Sequence, residues 1–233
     1  MSTATTTATP GASSSQNKRQ LAHAIRMLER AEIVDYNGHC SLRAGSDSIL
    51  INSGACVRST LSEDDIVEID FDGRLIGAGR PPPLEFHIHT EIYRARPDVC
   101  AIAHTHPKWS TFLTMVGAPY RPVYAQGVLL GDIPVFDSPM SINSKPMGER
   151  LAQTLGKGPA VLLKSHGVTV AAADVEECFA LAVYLEDNAH RQYMAMQIGK
   201  PYEFSVEEQR ACREKLWSKS LFRRTWDYYD SKL

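Results

Sequence analysis

Two histidines lie two residues apart at the end of an apolar run, in the segment AIAHTHP over residues 101–107. On a β-strand, residues i and i+2 point to the same face, so His104 and His106 can share one bound ion. Neutral imidazole is a common ligand of zinc and related divalent metals. The same spacing also suits two polar-face histidines without a ligand, so the choice between these alternatives needs a further ligand.

A third histidine ends a second apolar run, in the segment AVLLKSHG over residues 160–167. Gly167 allows the backbone to turn close to whatever His166 binds. Glu85 follows a proline-rich loop and begins a helical segment, where the alternative role is a first-turn glutamate that complements the helix dipole. The sequence predicts one divalent metal ion per subunit, zinc or alternatively cobalt, manganese or iron, bound by His104, His106 and His166, with Glu85 as the candidate for a fourth ligand.

Composition excludes several classes of partner. The 233-residue chain is 43% hydrophobic, which suffices for one well-filled core. Its net charge of -2 and lack of long Lys/Arg blocks predict no binding to nucleic acid or to anionic membranes. The N-terminus has no apolar segment typical of a signal peptide, so we expect a cytoplasmic protein. The five cysteines include no CxxC pair and are expected to be reduced thiols.

The pattern along the chain predicts an α/β or α+β sandwich around one central sheet. Residues 1–16 are rich in Ser, Thr, Ala, Gly and Pro and are predicted to form a disordered tail before a single domain over 17–233. Helices are predicted from Asn17 and over Glu85–Arg94, Trp109–Met115, Ser144–Leu155 and Asp174–Ile198, with a final helix from Ser205 into the C-terminal tail. Strands are predicted over Ser41–Arg43, Ser48–Asn52, Asp65–Asp70, Cys100–His104, Val123–Tyr124, Ile133–Phe136 and Ala160–Lys164, the last opening a hairpin.

Four sequence blocks, NGHCSLR, INSGA, EFHIHTEIYRARPDVCAIAHTHP and LLKSHGV, closely resemble the class II aldolase/adducin family over residues 20–200. The resemblance implies a three-layer α/β/α fold around a mostly antiparallel sheet, assembled as a homotetramer with sites at subunit boundaries. It also implies that the three histidines are metal ligands and that Glu85 is a fourth ligand or the catalytic acid/base. The adducin-like branch lacks these histidines, so their presence disfavours a binding module.

The phosphate pocket of the aldolase branch is only partly present. In that branch a GNxS turn, a TxxG-like turn and a serine pair before the glutamate hold the substrate phosphate. Here the first turn reads GHCS over residues 38–41, and Pro83–Leu84 replaces the serine pair. A phosphate dianion needs several convergent donors, so these replacements favour a flatter carboxylate substrate.

The resemblance therefore favours a metal-dependent decarboxylase of a hydroxylated aromatic or ring-opened carboxylate, such as a dihydroxyphthalate. The alternative is a class II aldolase that acts on a sugar phosphate or keto acid. The small-molecule carboxylate is predicted to bind at His39, Ser53 and Gly54. Arg58 and Arg80 are further candidates, or else solvated surface arginines.

The C-terminal tail carries two adjacent tyrosines, Tyr228 and Tyr229. Aldolases of the family bring a C-terminal tyrosine from a neighbouring subunit into the site. By this resemblance either tyrosine is a candidate catalytic proton donor, and the alternative is aromatic packing of a terminal helix.

Overall fold

A mixed β-sheet forms the centre of the fold in the computed structural model, which describes residues 10–233. Its strands are β1 (His39–Arg43), β2 (Ser48–Asn52), β3 (Ile66–Asp70), β4 (Ala101–Thr105), β5 (Val135–Phe136), β6 (Ala160–Leu163) and β7 (Gly167–Ala172). They pair in the order β3-β2-β1-β4-β7-β6-β5. Among these seven strands of the described residues, β5 and β6 pair in parallel and every other neighbouring pair is antiparallel.

Helices cover both faces of this sheet. They are α1 (Pro10–Arg30), α2 (Phe86–Ala95), α3 (Lys108–Met115), α4 (Lys145–Leu155), α5 (Val175–Ile198), α6 (Val206–Leu216) and α7 (Lys219–Asp230). The alternation of side chains along β4 separates two cores. Ala101 and Ala103 pack with α1 and α5, whereas Ile102 packs with α2 and α4. The three-layer α/β/α fold with a mostly antiparallel sheet is therefore confirmed.

Antiparallel pairing brings three strand ends to one place. The start of β1 lies beside the end of β4, where His39 is opposite His104. The start of β7 lies beside the same end of β4, where Thr169 is opposite His104. Residues that begin β1, end β4 and precede β7 consequently meet at one edge of the sheet.

Several sequence predictions differ from the structure, most of them by one or two residues at the end of an element. The first helix begins at Pro10 rather than Asn17, so the described part of the predicted 1–16 tail from Pro10 onward belongs to α1, and residues 1–9 lie outside the described residues. The prediction of a strand at Val123–Tyr124 was wrong, because the Val123 N–H donates to Asn188 Oδ1 on α5 instead of to a strand.

The final helix is interrupted, which the sequence pattern did not predict. α6 ends at Leu216, and Ser218 caps the start of α7 by accepting a hydrogen bond from the Leu221 N–H. A side-chain oxygen that satisfies a free N–H of the first turn favours a new helix start at that point. The capping serine therefore divides the predicted single helix into two.

The start of α3, directly after His106 and Pro107, depends on a buried side chain from α5. Pro107 has no side-chain cap of its own. Glu186 instead accepts hydrogen bonds from the Trp109 N–H at 2.6 Å and from the Ser110 N–H at 2.9 Å, and also from the Ser110 hydroxyl at 2.8 Å. A carboxylate at the positive end of the helix dipole stabilises this turn.

We expect Glu186→Ala to lower the free energy of unfolding by about 2 kcal/mol, because it leaves buried donors without an acceptor. Urea denaturation followed by circular dichroism measures this change. Glu214→Ala, at an exposed position on α6, is the control and should change the free energy by less than about 0.5 kcal/mol. Equal effects of the two substitutions would contradict a capping role for Glu186.

Candidate metal centre

The four predicted ligands lie together at the edge where β1, β4 and β7 meet. One ligand atom from each of Glu85, His104, His106 and His166 falls within 4.8 Å of all the others. His104 Nε2 is 3.6 Å from Glu85 Oε2, and His166 Nε2 is 3.7 Å from Glu85 Oε1. Tetrahedral zinc with bonds near 2.1 Å requires ligand atoms roughly 3.4 Å apart. The cluster therefore has the dimensions of a site that could bind one divalent metal ion.

A close backbone approach brings His166 to the other histidines. A Cβ atom added at Gly167 would lie 2.3 Å from the Thr105 carbonyl oxygen and 2.9 Å from His106 Cδ2. Only glycine permits this contact without a shift of the backbone. The close approach at Gly167 is thus to the end of β4, and its closeness to a ligand of His166 stays a prediction.

The proline-rich loop positions Glu85 from the other side. Gly54 N–H donates to the Pro81 carbonyl at 3.0 Å, which holds the loop against the end of β2. Glu85 occupies the position just before α2, and its Oε1 accepts a hydrogen bond from the Ile142 N–H at 2.8 Å. These two contacts fix the carboxylate opposite the histidines.

The outer ring nitrogens of two histidines have partners that aim the inner nitrogens at the site. His104 Nδ1 lies 3.2 Å from Thr169 Oγ1, and His106 Nδ1 lies 2.9 Å from Asp35 Oδ1. The Nε2 atoms of both rings are buried and have no hydrogen-bond partner among the described residues. A buried polar atom without a partner is costly, and a metal ion would satisfy both atoms.

Asp35 and Thr169 were not identified from the sequence. The Asp35 carboxylate also accepts the backbone N–H groups of Asn37 and Gly38, so it is held in a tight turn before β1. Burial would raise the pKa of Asp35, but these N–H groups and His106 outweigh it and lower the pKa. The segment DYNG, which contains Asp35, predicts a turn. It does not predict that Asp35 contacts a histidine about seventy residues away in the chain.

Burial governs the protonation of the imidazoles. It lowers the pKa of His39 and of His166, and lowers that of His104 well below its ordinary value, because a charged ring would lose its hydration. Burial alone would raise the pKa of Glu85, but His39, His104 and the Ile142 N–H outweigh it and hold this pKa well below its usual range. Neutral imidazoles beside a carboxylate are the protonation states that bind a divalent metal.

A cavity of about 370 Å³ opens beside Glu85 and includes two of the predicted substrate-binding residues, His39 and Gly54. The third, Ser53, is fully buried next to Gly54 and does not line the cavity, and its hydroxyl has no partner among the described residues. Their binding of substrate stays a prediction.

The two candidate arginines differ in their surroundings. Arg58 is buried and lines the cavity, which excludes the alternative of a solvated surface arginine. Arg80 is largely exposed and lies 3.5 Å from Asp65 Oδ1. Only Arg58 is therefore available to a ligand beside Glu85.

The C-terminal tyrosines contact other residues within the chain. Tyr229 packs edge-on against Phe179 of α5, with ring centroids 5.5 Å apart. Tyr228 is exposed, and the Lys232 ammonium lies 3.8 Å from the centre of its ring. Neither contact joins the tyrosines to the histidine cluster of the same chain, so a role in a neighbouring subunit stays a prediction.

Comparison with known proteins establishes the family. Residues 19–193 match the Class II Aldolase and Adducin N-terminal domain. The chain belongs to this family, and the resemblance stated from its sequence blocks is confirmed. Across residues 10–233, no helix combines the length and apolar character needed to cross a membrane.

Two relatives and one solved structure illustrate the similarity. The chain is 29% identical over 184 residues to a 3,4-dihydroxyphthalate decarboxylase of Arthrobacter keyseri, which covers 72% of this chain and 74% of that protein. It is 31% identical over 180 residues to a 5-methylthioribulose-1-phosphate/5-deoxyribulose-1-phosphate aldolase of Rhodospirillum rubrum, covering 76% and 80%. Its fold is similar to that of L-fuculose 1-phosphate aldolase from Glaciozyma antarctica PI12, with a TM-score of 0.86, 20% identity and coverage of 99% and 93%. Both relatives are carbon–carbon lyases, which supports this enzyme class for the chain.

We expect His104→Ala to reduce the bound metal from about one ion per chain to nearly none, because it removes one imidazole from a four-residue cluster. Elemental analysis of protein dialysed against zinc measures the content. His23→Ala is the control, since His23 pairs with Asp230 away from the cluster. A His104→Ala protein with full metal content would exclude this histidine as a ligand.

Proposed function

We propose that the protein is a metal-dependent decarboxylase of a hydroxylated aromatic or ring-opened carboxylate, such as a dihydroxyphthalate. The observation that carries this proposal is the buried guanidinium of Arg58. It lines the same cavity as Glu85 and His39. Among the described residues, no carboxylate lies within the 4.0 Å of an ion pair with it.

Burying a charge without a counter-ion costs on the order of several kcal/mol of folding free energy unless hydrogen bonds compensate it. Arg58 Nε donates to the Gly38 carbonyl at 2.7 Å, and one terminal nitrogen contacts the Cys56 carbonyl and sulfur. The other terminal nitrogen, Nη2, makes no hydrogen bond within the part of the chain that is described. A substrate carboxylate in the cavity would supply both the missing acceptor and the missing negative charge.

The cavity wall favours a carboxylate over a phosphate. Pro82, Pro83 and Leu84 line one side of it and supply no side-chain donor, although Asn37 and Ser141 also line the cavity with polar side chains. The Gly54 N–H already donates to the Pro81 carbonyl, so it is not available to an anion. A phosphate needs several convergent donors, whereas a planar carboxylate can be held by a single guanidinium.

A divalent metal ion held by His104, His106 and His166 would supply a Lewis acid that stabilises negative charge on the substrate as the carbon–carbon bond breaks. The chain transfers the proton from the substrate oxygen to the carbon. We assign this role to Glu85 at Oε2, because Oε1 is engaged by the Ile142 N–H whereas the nearest imidazole nitrogens to Oε2 are 3.6 and 3.8 Å away.

The low pKa of Glu85 means that it starts as a carboxylate. It can accept the proton of a substrate hydroxyl and return it to the carbon that CO₂ leaves. The electron pair of the broken bond stays on that carbon and forms the new C–H bond. The oxygen that gave up its proton then takes one from water, so the net change is replacement of CO₂ by a proton with no oxidant or reductant.

A class II aldolase acting on a sugar phosphate or keto acid is the second candidate. The similarity to the Rhodospirillum rubrum aldolase favours it. The proposal has four further parts. The resident metal is zinc, the protein is a cytoplasmic homotetramer, and Tyr228 or Tyr229 enters a neighbouring site as proton donor.

Product analysis separates the two candidates. We expect zinc-loaded protein to release one CO₂ per molecule of a dihydroxyphthalate, and no aldehyde from sugar phosphates, because the cavity binds a carboxylate. The His104→Ala protein serves as the inactive control for contaminating lyases. Aldehyde release from a sugar phosphate without CO₂ from any hydroxylated aromatic acid would establish the aldolase instead.

We expect Arg58→Gln to raise KM for the carboxylate substrate roughly tenfold to a hundredfold, the loss that corresponds to a charge-assisted hydrogen bond. Steady-state kinetics measures this change, and Arg58→Lys should be intermediate because it keeps the charge but loses the planar geometry. Arg80→Gln is the control and should leave KM unchanged. An unaltered KM in a folded Arg58→Gln protein would exclude Arg58 as the carboxylate anchor.

A further inference from the structure

A continuous chain of hydrogen bonds leads from the cavity into the interface between the sheet and α2. His39 Nδ1 lies 2.7 Å from His89 Nε2, and His89 Nδ1 lies 2.6 Å from Ser41 Oγ. Ser41 Oγ lies 2.9 Å from the Tyr93 hydroxyl, which donates to the Cys100 carbonyl at 3.3 Å. All four side chains in this relay are at most 1% exposed, so bulk water cannot replace a missing partner.

The relay follows from the periods of two elements. His39 and Ser41 are two residues apart on β1 and point to the same face, while Cys40 points to the opposite core. His89 and Tyr93 are four residues apart on α2 and therefore lie on one side of that helix. The two pairs face each other, so each strand residue contacts a helix residue.

The fixed end of the relay sets its direction. The Cys100 carbonyl, which also accepts the Arg43 N–H at 2.8 Å, can only accept hydrogen bonds. Tyr93 therefore donates to this carbonyl, and Ser41 must donate to Tyr93. Ser41 then accepts from His89 Nδ1–H.

The same sequence of donors continues to the cavity. With its proton on Nδ1, neutral His89 offers Nε2 as an acceptor, and the 2.7 Å contact requires His39 to donate from Nδ1. His39 Nε2 is then left without a proton. This atom is buried, has no hydrogen-bond partner among the described residues, and belongs to a side chain that lines the cavity.

The opposite direction would need a hydrogen bond at the cavity end. His39 Nε2–H would then have to donate to Glu85 Oε2, which is 3.8 Å away and beyond hydrogen-bond distance. The Tyr93 hydroxyl would also have to donate to Ser41 and leave the Cys100 carbonyl. The contact at the carbonyl end, at 3.3 Å, is a hydrogen bond and the contact at the cavity end is not, so the carbonyl end decides the direction.

We propose that His89, Ser41 and Tyr93 hold His39 as the Nδ1–H tautomer, so that His39 presents an unprotonated Nε2 to the substrate and accepts a hydrogen bond from its hydroxyl group. An unprotonated ring nitrogen can accept a hydrogen bond from an O–H group but cannot donate one to a carboxylate. This assigns His39 to a hydroxyl rather than to the carboxylate predicted from the sequence, and leaves the carboxylate to Arg58. The assignment of the substrate group rests on the proposed function, whereas the tautomer does not.

The tautomer is measured directly by nitrogen NMR of zinc-loaded protein labelled with ¹⁵N-histidine. Ring ¹⁵N shifts distinguish protonated from unprotonated nitrogens, and His39→Gln and His89→Gln spectra assign the signals. We expect His39 and His89 both to carry their proton on Nδ1. A proton on His39 Nε2, in either the neutral or the charged ring, would overturn the proposal. The unsubstituted protein decides this point, so a variant that fails to fold does not remove the test.

The effect on recognition is measured with two probes, 3,4-dihydroxybenzoate and benzoate, by titration calorimetry. Both carry the carboxylate, but only the first has hydroxyl groups. We expect Tyr93→Phe to reduce the preference for dihydroxybenzoate roughly fivefold, the loss of about one hydrogen bond. Ser41→Ala should have a similar effect, and the double variant should add little, because both residues belong to one relay. An unchanged preference in folded Tyr93→Phe protein would overturn the proposal.

Tyr120→Phe is the matched control. The Tyr120 hydroxyl is also buried and donates to a backbone carbonyl, that of Gly127 at 3.1 Å, but it has no part in the relay. It should lower stability without changing the ratio of the two affinities. Absence of CO₂ release together with the expected tautomer would refute the decarboxylase alone, and CO₂ release with the opposite tautomer would refute the relay alone.

Discussion

The antiparallel pairing of β4 with both β1 and β7 is the constraint on which the site depends. It places the start of β1 and the start of β7 beside the end of β4, with His39 opposite His104 and Thr169 opposite His104. Strand ends are well suited to this task, because side chains beyond the last hydrogen bond can turn toward one another while the ladder behind them stays rigid. A one-residue slip of β4 would turn His104 toward the opposite core and destroy the cluster.

The two faces of the sheet differ in polarity along β1 and β4. The face covered by α1 and α5 is almost wholly apolar along β1 and β4, where Cys40, Leu42, Ala101 and Ala103 pack. The face covered by α2 is apolar at its centre but polar toward the site, where His39, Ser41 and His104 point. Burying so many polar groups is tolerated because nearly every one of them has a partner. Among these three side chains, the atoms without a partner are Nε2 of His39 and Nε2 of His104, which face the cavity and the candidate metal centre.

The buried polar atoms without a partner explain how one small region could bind both a metal ion and a carboxylate. Thr169 and Asp35 hold the rings of His104 and His106 so that their Nε2 atoms point inward, where a cation would bind them. The Arg58 guanidinium lines the same cavity as Glu85, and no carboxylate of residues 10–233 forms an ion pair with it. A substrate that brings a carboxylate to the arginine and oxygen atoms to the metal would satisfy both at once. These two contacts together would fix the position of the breaking carbon–carbon bond relative to the metal ion.

Much of this was determined by the sequence alone. Alternation in AIAHTHP and the glycine after His166 follow from local geometry, since strand period and glycine conformation depend on neighbouring residues only. Local patterns predicted the residues of the histidine–glutamate cluster, the β6–β7 hairpin and the long α5 helix, and the sequence blocks identified the family.

Only the tertiary structure decided which distant residues support them. Asp35, Thr169 and Glu186 act across seventy or so residues, and the relay from His39 to Tyr93 joins a strand to a helix. Whether Arg58 is a solvated surface residue or a buried cation is likewise a matter of what packs around it. Local patterns carry no information about such contacts, because burial and hydrogen-bond partners arise from packing between elements that are far apart in the chain.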